Sequence, residues 1–104
     1  MDVNAVLAAM LSAAEGAAGG VWNQIKDSLA ISAKDAANNC VEIAADLAAG
    51  TIDEAEAQTL FQAQKDLMAV VADEVEGAAK LAAEAAINAA GNALWAGITA
   101  GLHI

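Results

Sequence analysis

The chain has 104 residues, 59% of them hydrophobic but only 3% aromatic, and a net charge of −10 with four lysines as its only cationic side chains besides His103. That length suits a single domain, and the acidic balance excludes a nucleic-acid partner or docking on an anionic membrane face, since both need a basic surface. A single cysteine excludes a disulfide framework.

Alanine accounts for 31 residues. It is the best helix former because it gives up no side-chain entropy, but it buries little area. The composition therefore predicts an all-α chain with a thin core. In chain order, the apolar stretch from Val3 to Ala14 lacks the basic start of a secretory signal, so none is expected. The cytoplasm or the interior of a particle is then the expected location. Gly19-Gly20 is the first break signal and predicts a kink there. Beyond it, Ile25, Leu29, Ser32, Ala36, Cys40, Ile43 and Leu47 recur at helical spacing and mark a core face.

The strongest stop-and-start signal spans residues 47–57. Gly50 suits the left-handed position that ends a helix. Thr51 with Glu54, or Asp53 with Glu56, has the spacing of a capping box. A second helical stretch follows, with Leu60, Gln64, Leu67, Val71, Val75 and Ala78 as its expected core stripe. Gly77 and Gly91 are weaker break signals. The expectation is one domain over 1–104: a long antiparallel two-helix hairpin with arms at about 3–49 and 53–102 and a turn at about 50–52. Each unbroken arm would reach about 70 Å. The hairpin is expected to pack into a homo-oligomeric helical bundle.

Charge is distributed unevenly. Residues 1–25 carry only Asp2 and Glu15, and residues 81–104 carry only Glu84. Folding at Gly50 pairs residues whose numbers sum to about 101, so the two charge-poor segments meet at the end away from the turn. A helix apolar all round is normally covered, and a large exposed apolar patch marks an interaction site. The interface expected there comprises Val3, Leu7, Met10, Gly16, Gly20, Trp22, Ala93, Leu94, Trp95, Gly97, Ile98, Gly101 and Leu102. Ser12, Gly16 and Gly20 form a row of small residues four apart, as do Ala89, Ala93, Gly97 and Gly101. Such rows let helices approach closely, either within the chain or between copies. Trp22 and Trp95 suit an interface, a membrane surface or a core.

The inventory offers no catalytic or cofactor chemistry. His103 and Cys40 fall in opposite halves of a hairpin, and Cys40 reads as a small buried hydrophobe. No Glu-x-x-His pair, calcium loop or phosphate loop is present, so neither metal nor cofactor is expected. Asp73, Glu74 and Glu76 read as a solvated face. The leading expectation is a non-enzymatic, self-assembling structural protein of an oligomer, filament or virion. The second is a membrane-active protein, a pore former or holin-like factor. Residues 85–104 hold no formal charge with His103 neutral and are just long enough to span a bilayer, though Asn88 and Asn92 oppose insertion. The third is a secreted helical-hairpin partner. Length and acidity are similar to those of the small secreted hairpins with Trp-x-Gly in their turn. Here Trp95-Ala96-Gly97 stands near the C-terminus and tyrosine is absent, so no residue role carries over.

Overall fold

A computed structural model describes residues 1–100 of the chain, and every described element is helical. Helix α1 spans Val3–Ala18 and is opened by Asp2, whose carboxylate accepts the Ala5 N–H at 3.2 Å. A 3-10 turn over Gly19–Val21 leads into α2, Trp22–Asn39, and a single-residue step at Cys40 leads into α3, Val41–Ala49. Gly50, with φ 77° and ψ 9°, ends α3 in the left-handed conformation. Helix α4 spans Glu54–Ala69 and continues as a 3-10 segment over Val70–Glu74, and α5 spans Ala78–Thr99. Of the two capping boxes open to the sequence, the chain uses the second. The Asp53 carboxylate accepts the Glu56 N–H at 2.8 Å, and the Glu56 carboxylate accepts the Asp53 N–H at 3.3 Å.

Two unbroken arms do not form. The molecule measures 42 × 22 × 19 Å, so the 47-residue run Val3–Ala49 cannot be straight. Only α2 with α3, roughly 42 Å end to end, fills the long axis. The chain reverses at Gly19, whose φ of 56° and ψ of −129° lie in a region essentially closed to side-chain-bearing residues. The second arm breaks as well. Gly77 has nearly the same geometry, φ 62° and ψ −136°, so it separates α4 from α5 completely. Gly91 breaks nothing. It is buried within α5, where a Cβ would lie 3.2 Å from the Lys65 side chain.

The result is a short helical bundle. Helix α1 turns back onto α2 and packs most extensively on α5, while α4 completes the ring between α2 and α5. The α1–α5 seam therefore lies opposite the α2–α4 seam. Met10, Ile25, Leu29, Met68, Leu94 and Cys40 are the largest fully buried side chains, and most of the remaining core is alanine. On α2 and α3 the expected stripe holds: all but Ser32 are buried, and Ser32 is half-buried. On α4 it does not. The helix buries Ala57, Phe61 and Met68 and leaves Leu60 47% and Leu67 60% exposed. Two apolar stripes run along α4 one residue apart. The one carrying Phe61 faces inward, where its ring meets Trp95 with centroids 5.2 Å apart and a tilt of 46°.

Candidate interaction surfaces

The charge-poor segments do come together, as α1 against α5. Their contact is set by Gly97: a Cβ there would fall 2.7 Å from Val6 Cγ2. The pairing of residue 6 with residue 97 is antiparallel and close to the register of a chain folded at Gly50. The reversal at Gly19 lays this pair alongside the rest of the molecule rather than letting it project as a free end.

That geometry divides the thirteen residues expected at the interface. Met10, Leu94 and Ile98 are core, covered by the chain itself and closed to any partner. Val3, Leu7, Trp22, Ala93 and Trp95 are half-buried against that core, and Gly97 is half-buried under Val6. Gly16 and Gly20 are exposed, and a methyl group added at either would meet nothing within 4 Å. Gly101 and Leu102, like His103, lie outside the described residues. The two rows of small residues thus differ. On α5, Gly97 lets α1 approach within the molecule. The other row is broken: Ser12 and Gly16 are exposed on α1, with open space at Gly16 among the described residues, whereas Gly20 lies beyond the Gly19 reversal and off that helix.

Exposed large apolar side chains gather elsewhere. Leu60, Leu67 and Val70, the last 61% exposed, follow one line along α4 and its 3-10 extension, and Ile31 of α2 is 67% exposed. Periodicity alone hides this face, because it assigns Leu60 and Leu67 to the core. The competing stripe of Ala57, Phe61 and Met68 has the same period, and its inward seating goes with Trp95 of α5, which Phe61 meets across the core.

Cys40 sits where α2 steps into α3, with its side chain inside the core. Burial pushes its thiol up from 9.0 to about 11, so at neutral pH it is protonated and a poor nucleophile. Because the folded thiol resists ionisation, its contribution to stability is intact below about pH 9 and is lost as pH rises towards about 11. Each pKa unit corresponds to about 1.4 kcal/mol, so the loss reaches about 3 kcal/mol. Urea titrations across this window should show wild type losing stability relative to Cys40→Ala. A constant difference between the two would refute the buried thiol.

Among the described residues no group of three His, Cys, Asp or Glu side chains could hold a metal. Lys80 reaches Asp73 at 3.4 Å across the Gly77 break, an exposed ion pair that adds little stability. The run Val3–Ala49 contains a window long and apolar enough to cross a membrane, with mean hydropathy 1.3 and only 22% of its residues buried. Comparison of the chain with protein-family models, curated proteins and solved structures finds no significant match in any of the three.

Proposed function

We propose that this is a non-enzymatic structural protein that self-assembles into a homo-oligomeric helical bundle through the outer face of α1. The carrying observation is the outer face of α1, where Ser12 and Gly16 are exposed and a methyl group added at Gly16 would meet nothing within 4 Å among the described residues. Around it the exposed residues of α1 are mainly small and uncharged, including Asn4, Ala5, Ala8, Ala9 and Ala17, with Glu15 the charged member of the helix. Small residues on one helix face let a second helix approach to backbone distance. A chain of net charge −10 associates with copies of itself where charge is scarce, and α1 is such a place. The hairpin that turns at Gly50, formed by α2, α3 and α4, carries most of the charge and serves as the soluble side of each subunit.

Gly16→Leu tests this cleanly. The site is open in the isolated chain, and leucine favours helix over glycine, so the monomer should be as stable as wild type or more so. Sedimentation velocity should show a discrete oligomer or polymer for wild type and a shift to monomer for the variant. A wild-type monomer at all accessible concentrations would end the proposal.

A membrane-active role is the second reading, favoured by the poorly buried apolar window in Val3–Ala49. It ranks lower because α1 has 16 residues, below the roughly 20 that a span requires, and ends at the Gly19 reversal. Leakage of dye from uncharged vesicles would reverse the order.

A further inference from the structure

The α2–α4 seam, opposite the face assigned to self-assembly, is a groove made of two adjoining hollows of about 360 Å³ each. The hollows meet at Asn39 and Gln64, whose side chains are joined across the seam by an exposed hydrogen bond 3.0 Å long. One wall is acidic: Asp35, Glu42 and Asp46 descend from α2 and α3. The other wall is apolar: Leu60 and Leu67 rise from α4, with Ala63 between them. No lysine lines either hollow.

We propose that this groove is a docking site for a basic amphipathic helix of another protein. An amphipathic helix laid in a groove anchors apolar side chains at i, i+3, i+4 and i+7. Leu60 and Leu67 are seven residues apart, roughly 10 Å along α4, and match two turns of such a partner. Asp35 and Asp46 are eleven residues apart, roughly 16 Å, so the acidic wall runs beside about three turns. A partner with leucine-like residues on one side and Lys or Arg along the edge satisfies both walls at once. Charge complementarity on this pattern steers encounter and rejects partners of the wrong sign. A second copy of this chain is such a wrong partner. In a two-fold contact through this groove each acidic wall would be brought to a face flanked by its own counterpart, with no lysine lining either. The exposed leucines thus call for a cationic helix, and this inference stands apart from the assembly face on α1.

The probe is a fluorescent peptide of about five helical turns built from leucine and lysine, with its leucines on one face. A shuffled peptide of identical composition is the control. Anisotropy should show one patterned peptide bound per chain and at least about tenfold weaker binding of the shuffled one. The paired change Leu60→Ser and Leu67→Ser leaves charge untouched and should weaken binding at least about tenfold, as loss of anchor residues does. Asp35→Asn, Glu42→Gln and Asp46→Asn together should weaken it similarly and flatten its salt dependence. Hydrogen exchange on the wild-type protein supplies a readout independent of any variant: added peptide should protect residues 35–46 and 60–67. Equal binding of patterned and shuffled peptides, or protection confined to α1 and α5, would overturn the proposal. So would a serine variant that binds peptide normally but loses self-association, because the groove would then belong to a second copy.

Discussion

Leu94→Ala should lower the unfolding free energy by about 2–5 kcal/mol, the range for a buried leucine truncated in a packed core, and should fall near the top of it. Leu94 is fully buried on α5, and large buried side chains are scarce in this molecule. Leucine to alanine costs least where neighbours can move into the space. Alanine has no rotamer with which to do so, and alanines supply nearly half of the buried set, among them Ala14, Ala83, Ala86 and Ala90. Small domains are marginally stable, with about 5–15 kcal/mol in hand, so the variant should be partly unfolded near body temperature. Urea denaturation followed by far-ultraviolet circular dichroism measures the change. A loss below about 1 kcal/mol would mean that α5 is not seated against α1 and α4 as described.

Gly97→Leu should be the second severe change, for the opposite reason. Even the first carbon of a side chain at residue 97 would sit 2.7 Å from Val6 Cγ2. Valine is stiff about its first torsion, so relief requires α1 to move. Overpacking of this kind costs about 1–3 kcal/mol, and a leucine places three further carbons in the same space. Val6→Ala in the Gly97→Leu background should recover part of the loss, and a double-mutant cycle would give the coupling directly. The same pair separates two roles for Gly97. A destabilisation that Val6→Ala relieves belongs to packing within the chain. A drop in native mass at unchanged stability would place Gly97 between copies.

Much of the local structure was legible in the residues. The turn at Gly50, the box of Asp53 with Glu56 and the stripe from Ile25 to Leu47 follow from rules that act within one or two turns of helix. The charge-poor segments do meet, as α1 against α5, but through changes of direction at Gly19, Gly50 and Gly77 rather than the single reversal at Gly50 that the residues suggest. What escaped was the severity of the breaks. A glycine in a helical sequence costs about 1 kcal/mol, which does not say whether the helix bends or turns back. At Gly19 and Gly77 tertiary packing decided, since a thin alanine stripe on a straight 70 Å arm has little to bury, whereas α1 folded onto α2 and α5 gains a place for Met10. The inward face of α4 was lost for a related reason. Leu60–Leu67 and Phe61–Met68 have the same period, and only the presence of Trp95 across the core, from another helix, favours the latter.

The pairing of Val6 with Gly97 also sets an order of events. These residues are about 90 positions apart, so the contact that holds α1 in place is among the most distant in sequence that the chain can make. Contacts of that kind form slowly, because the intervening chain must be ordered first. On a ribosome, α1 emerges well before its main partner α5. While the central hairpin folds, α1 has α2 to pack on but not α5, against which it packs most extensively.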